Sequence, residues 1–352
     1  MYRNTYVEVN LKNIESNVKK LINDNNEYEY YFGVVKADCY GHNNLDTVKA
    51  IIDGGCNYLA VATLDEALEI RREILDIPIL CLGIVPVEFI GKCIDNNITI
   101  TISNKEYLMK ILKEKIDKVR VHIKVNTGMN RLGVNNKEDF NDIYRILKEN
   151  NIEIEGIFTH IYNADDEELT FKQFEKFEKI TEDIDLKEIP IIHLCASDAT
   201  ISYKKIPYAN GCRFGIAMYG FTEESTLEFL PTFSLYSEVI QINELENETL
   251  GYNGAYEVKE KEKIAVIPIG YADGIIRKNT GRKVYINENE YNIVGNICMD
   301  MLFVKVDESV RVGDKVTIIK DIKHINEIAK HLETIPYEIL CSISKRVPRI
   351  YK

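Results

Sequence analysis

Two rhythms of apolar and polar positions alternate along the first two thirds of this chain. Short β-branched or apolar runs occur at 30–35 (YYFGVV), 58–63 (YLAVAT), 77–83 (IPILCLG), 98–103 (ITITIS), 120–126 (RVHIKVN), 152–160 (IEIEGIFTH), 189–195 (IPIIHLC) and 213–220 (RFGIAMYG). Stretches with helical spacing follow most of them, such as LDTVKAIID (45–53), LDEALEIRREI (64–74) and KEDFNDIYRILKEN (137–150). Runs this short and this apolar read as strands buried on both faces, and the longer periodic stretches as amphipathic helices. Eight strands alternating with helices over about 220 residues predict a (β/α)8 barrel rather than an open doubly wound sheet. The absence of G-x-G-x-x-G after the first strand points the same way.

The rhythm changes near residue 226. LYSEVIQINE, KIAVIPIGYA, KVYINENEYNIVGNI, MLFVKV and KVTIIK are joined by turn-rich segments, with one clear helix at 325–333 (INEIAKHLE). This predicts a mostly antiparallel β domain over 226–352 behind a barrel over 1–225.

Composition narrows the function classes. With 45% hydrophobic and 28% charged residues, the chain has the make-up of a soluble globular protein. A net charge of −12 argues against nucleic acid or an anionic membrane as partner. The start of the chain has no signal pattern and no apolar run approaches a membrane span, so a cytoplasmic protein is expected. The eight cysteines form no C-x-x-C pair and no Cys/His cluster at zinc spacing, which predicts reduced thiols and no metal site.

In a (β/α)8 barrel the C-terminal strand ends carry the chemistry. Lys36 ends the first predicted strand, Lys124 lies late in the fifth, Arg131 follows in the loop NTGMNRLG, and His160 ends the sixth. His193 and Ser197 lie at and just past the seventh; Arg213, Gly215 and Ile216 lie in the eighth. Each has a bland reading: strand-end lysines are usually solvated, and single histidines usually satisfy local hydrogen bonds. Arg213 in an apolar strand is harder to set aside, because a buried guanidinium needs partners for several donors, whether structural or functional. Ser197 and Gly215 sit where barrels commonly bind phosphate through backbone N–H groups. A lysine and a phosphate cradle on one rim point to pyridoxal phosphate, which forms a Schiff base with lysine.

The stretches VVKADCYGH, KVNTGMNRLG, FTH, HLCASDA, CRFGIAMYG, LGYNGAY, VIPIGYADG, VGNICMD and SKRVPRIY run from residue 34 to the C-terminus. In this order they resemble the motifs of the alanine racemase family, barrel-fold pyridoxal-phosphate enzymes. The resemblance implies a cytoplasmic homodimer with shared active sites that interconverts L- and D-alanine and supplies D-alanine for peptidoglycan. It assigns Lys36 as the cofactor lysine and one base, and Tyr252, from the other subunit, as the second base. It implies that Arg213 faces the pyridine nitrogen, that His193 bridges Arg213 and Tyr252, and that His160 stacks on the cofactor. Tyr40, Ser197, Gly215 and Ile216 would hold the phosphate. Arg131 and the partner's copy of Met299 would hold the substrate carboxylate, with Tyr271 at the entrance and Lys124 a candidate for carbamylation.

Three positions depart from the family pattern. Asn253 stands where glycine is usual, Cys195–Ala196 replaces Ala-Asn, and Lys345 stands where many relatives carry a tyrosine at the pocket mouth. The last leaves a serine or broad-specificity racemase as the alternative. A non-catalytic pyridoxal-phosphate carrier, another barrel with a lysine, is disfavoured by the β domain.

Overall fold

The computed structural model describes residues 2–43, 45–116, 118–222 and 228–352. Within it, eight parallel strands close into a barrel in chain order, from Tyr30–Val34 to Gly211–Phe214, and these two pair to seal it. The strands are buried along nearly their whole length, as their continuous apolar runs require, because helices cover them outside and side chains fill them inside. The helices begin where the sequence offers caps. Asn104, Asn136 and Asp166 each accept a hydrogen bond from a backbone N–H of the first turn.

The barrel interior is partly aromatic and polar. The His193 ring lies between Phe32 at 4.4 Å and Phe158 at 4.8 Å, nearly parallel to both. Phe32 in turn stacks on Tyr58 at 4.3 Å.

After the barrel comes a nine-stranded, mostly antiparallel sheet. The boundary expected at 225/226 falls outside the described residues. Strand Tyr6–Val9, which was not foreseen, belongs to this second sheet. It pairs antiparallel with Phe233–Glu238 and parallel with Arg349–Tyr351. A second helix, Pro336–Ser342, follows Ile322–Leu332, where a single helix was expected. The segment expected as an eighth strand through residue 220 is strand only to Phe214, and Ile216–Tyr219 is a turn of 3₁₀ helix.

The two parts meet at the loop that carries Lys36. Ala37, Asp38, Cys39 and Tyr40 all have φ between 52° and 54°, a left-handed turn that L-residues adopt at a cost. Gly41 follows at φ 80°, and a Cβ there would stand 2.1 Å from the Leu340 carbonyl oxygen. Arg349 clamps the same loop, donating from Nε to the Gly41 carbonyl and from Nη1 and Nη2 to the carbonyls of Ser344, Val347 and Ile343. The β domain thus holds the strained turn in place.

A substitution at Gly41 tests this seam. Gly41→Ala adds left-handed strain and a backbone clash, so it should cost roughly 2–4 kcal/mol. Thermal unfolding checks it: a midpoint unchanged from wild type would show that the seam yields freely.

Candidate active site

The C-terminal ends of the barrel strands open into a cavity of about 650 Å³. Of the residues expected at a site, Lys36, Tyr40, Lys124, Arg131, His160, Ser197, Arg213, Gly215 and Ile216 all line it. They come from elements as far apart as residues 36 and 216, so barrel closure alone brings them together.

Arg213 forms the floor. Its guanidinium is buried, and burial lowers its pKa to about 10, leaving it charged at neutral pH. Nη1 donates to His193 Nδ1 at 2.8 Å and to the His193 carbonyl at 2.9 Å. Nη2 donates to the carbonyls of Thr159 at 2.8 Å and Leu194 at 3.0 Å, and lies 3.3 Å from His160 Nδ1. The Nε–H has no hydrogen-bond partner among the described residues. An unspent donor on a cavity floor matches a ring nitrogen that needs one.

On one side, the Ser197 hydroxyl accepts from the Gly215 N–H at 2.9 Å, and a Cβ at Gly215 would stand 3.0 Å from the Tyr40 hydroxyl. Two hydroxyls and a bare backbone converge there, the composition of a phosphate cradle. Across the cavity, burial lowers the Lys36 pKa, and the Arg131 charge lowers it further. Lys124 is pushed down to about 7, first by burial, then by Arg213, Arg131 and Lys36. Burial and Arg213 also keep His160 neutral, its pKa well below the ordinary value. These cations, the lone donor and the cradle fit pyridoxal phosphate.

His193 does not line the cavity. It lies beneath Arg213, fully buried, and its Nε2 faces His122 Nδ1 at 2.9 Å. Both ring nitrogens are therefore engaged within the barrel, and none is left for the bridge to Tyr252. Tyr252, Tyr271 and Met299 lie elsewhere, exposed on the β domain at 69%, 42% and 52%. Asn296 donates to the Tyr252 carbonyl, and the N–H groups of Tyr271 and Ala272 donate to the carbonyls of Cys298 and Met299. Asn253 holds φ 62°, the left-handed geometry expected where relatives use glycine.

Lys345 stands outside the cavity, 3.3 Å from Asp38 and largely exposed. Ile335 and Tyr337 wall the cavity instead, the Tyr337 ring 5.8 Å from that of Tyr40. Sequence reasoning did not find these two, because only the seam described above brings a C-terminal helix to the barrel mouth.

Residues 9–223 match the alanine racemase N-terminal domain and residues 232–351 the alanine racemase C-terminal domain. The chain belongs to the alanine racemase family. It is 36% identical to alanine racemase 1 of Bacillus subtilis, over 99% of this chain and 93% of that one. Among solved structures it is similar to an alanine racemase from E. faecalis, with TM-score 0.95 and 33% identity over 100% and 99% of the two chains. It is also similar to one from Bacillus anthracis with bound L-Ala-P, with TM-score 0.94 and 32% identity over 100% and 96%. Alanine racemases interconvert L- and D-alanine with pyridoxal phosphate; two bases and a supply of D-alanine to peptidoglycan are typical of the family. Among the described residues, no helix is long and apolar enough to cross a membrane.

The lysine cluster carries a signature of its own. A lysine whose folded pKa of about 7 lies below its unfolded value near 10.4 binds fewer protons when folded. Stability should therefore rise with pH across this window, by at most about 1.4 kcal/mol per unit from this group. Lys124→Met should flatten that rise in urea titrations between pH 7 and 10; equal slopes in the two proteins would place the charge elsewhere.

Proposed function

We propose that this chain racemises alanine in a site completed by a second copy, with Lys36 and Tyr252 as the two bases. The observation that carries this reading is the division of the site residues. Lys36 and the cofactor-holding groups line one cavity, whereas Tyr252, Tyr271 and Met299 are exposed on the β domain. Racemisation needs a proton removed from one face of Cα and returned on the other. Tyr252, the tyrosine that the family resemblance makes the second base, does not line the cavity that holds Lys36 and is exposed, so it would reach that cavity from a second copy.

Lys36 holds the cofactor through its amine and moves the proton on one face. Burial and the Arg131 charge lower its pKa, which favours the uncharged amine that acts as a base. When bound, pyridoxal phosphate withdraws electrons from the substrate's Cα. With pyridoxal phosphate bound, the Arg213 Nε–H would donate to the pyridine nitrogen without surrendering its proton, which would limit that withdrawal and favour prompt reprotonation over transamination. Tyr40, Ser197, Gly215 and Ile216 hold the phosphate. Arg131, with the backbone N–H of the second copy's Met299, holds the substrate carboxylate by charge-assisted hydrogen bonds.

The bridge between Arg213 and Tyr252 belongs to His160 rather than His193. His160 Nδ1 faces Arg213, and its Nε2 has no partner among the described residues. Lys124, neutral in good part at pH 7, has the free amine that carbamylation by carbon dioxide requires, and the resulting anion would sit among Arg131, Arg213 and Lys36. With Lys345 paired to Asp38, the cavity wall is formed there by Ile335 and Tyr337 instead. A soluble, cytoplasmic homodimer is the setting this reading implies.

Two experiments test it. Borohydride should fix the cofactor on the peptide containing Lys36; label on Lys124 would refute the assignment. Lys36→Ala and Tyr252→Phe should each lose most activity, and heterodimers formed from the two should regain part of it, since one of their two sites has both bases. Heterodimers that form and stay inactive would exclude Tyr252 from a shared site.

A further inference from the structure

Below the cavity, a line of buried polar side chains runs down the barrel axis from Arg213. His193 lies beneath it, then His122, then Glu155 near the start of the strand Glu153–Phe158, with Arg120 3.0 Å beyond. His193 and His122 are fully buried, and among the described residues the ionised groups within hydrogen-bond or ion-pair distance of them are Arg213 and Glu155.

The direction of this line is fixed by chemistry. A guanidinium donates and never accepts, so His193 Nδ1, 2.8 Å from Arg213 Nη1, must be the bare nitrogen. The His193 proton then sits on Nε2 and is donated to His122 Nδ1 at 2.9 Å. His122 in turn carries its proton on Nε2, 3.3 Å from Glu155 Oε2. This last contact is poorly aligned as a hydrogen bond, but an N–H opposite a buried carboxylate oxygen is attracted without ideal alignment. The same oxygen accepts shorter bonds from Tyr58 at 2.6 Å and Thr99 at 2.7 Å, which hold the carboxylate still. From Arg213 to Glu155 every proton in the line points away from the cavity, and Arg120 closes it by donating to Glu155 from the far end.

The backbone is shaped around the two rings. A Cβ on Gly156 would stand 2.5 Å from His122 Cε1, and one on Gly211 would stand 3.2 Å from His193 Cβ. The stacking of His193 between Phe32 and Phe158 fixes its ring plane as well. A barrel interior would pack more simply with aliphatic layers.

We infer that His122 and Glu155 are positioning residues for Arg213. Through His193 they take up Nη1 and leave the Nε–H aimed into the cavity. The inference rests on the reading of Arg213 as the partner of the cofactor's ring nitrogen.

Histidine labelled with nitrogen-15 tests it directly in the cofactor-free protein. At pH 7 both His193 and His122 should appear as neutral rings protonated on Nε2 alone; an imidazolium or an Nδ1–H tautomer at either position would overturn the relay. Kinetics supply the second arm. His122→Phe keeps a flat ring but cannot accept from His193, whereas His122→Asn loses the ring but places an amide oxygen near the position of Nδ1. Hydrogen bonding, unlike packing, predicts that the Asn variant outperforms the Phe variant. The Phe variant should lose about a hundredfold in kcat, with KM for alanine moving less than about threefold and transamination gaining as a share of turnover. A Phe variant as active as the Asn variant would overturn the inference. If the Phe variant does not fold, the wild-type spectrum decides alone. A wild type that racemises nothing would sink the functional reading and leave the tautomer result standing.

Discussion

A guanidinium buried at the mouth of a closed barrel must find acceptors for its N–H groups where almost everything is apolar, and much of this structure follows from that demand. Arg213 meets it with the carbonyl of Thr159, just past the strand Glu153–Phe158, with the carbonyls of His193 and Leu194 inside the strand Ile191–Ala196, and with His193 Nδ1. The pairing of Ile191–Ala196 with Gly211–Phe214 shifts register between His193 and Ala196, beside the cavity that Ala196 and Arg213 line. The burial of a charge and the location of the site are thus one fact.

The same cation sets the electrostatics of its neighbours. Lys124 and His160 both feel Arg213 beyond their own burial, and Lys36 feels it along with Arg131. Both amines are held below their ordinary pKa, Lys124 at about 7, which enlarges the share of the uncharged form that acts as a base or nucleophile. A cavity rich in cations also favours ligands carrying phosphate and carboxylate, as a phosphorylated cofactor and an amino acid do.

Much of this was legible before any coordinates. Ionisable residues in or at the end of an otherwise apolar strand, such as Lys36, Lys124, His160 and Arg213, stand out in a one-dimensional pattern, and all four reach the cavity. His122 and Glu155 carried the same mark within RVHIKV and IEIEGIF, but their pairing depends on which strands become neighbours, and linear reading gave no reason to join them. Other features left no trace. The left-handed run at Ala37–Tyr40 has none of the glycine or asparagine that usually announces such geometry, and only the packing of a remote helix and the Arg349 clamp sustain it. Strand Tyr6–Val9 is four residues long, too short for its alternation to be read without its partners.

That strand has a bearing on how the protein is made. Tyr6–Val9 is synthesised before every strand of the barrel, yet its neighbours in the sheet are Phe233–Glu238 and Arg349–Tyr351. At ordinary rates of synthesis it waits on the order of ten seconds or more for the first and still longer for the second. Meanwhile every strand of the barrel, which ends at Phe214, has been translated and can close around its core. The nascent chain therefore carries a loose β edge beside a finished barrel, a segment that chaperones, or a neighbouring chain on the same messenger, could capture before its own sheet arrives.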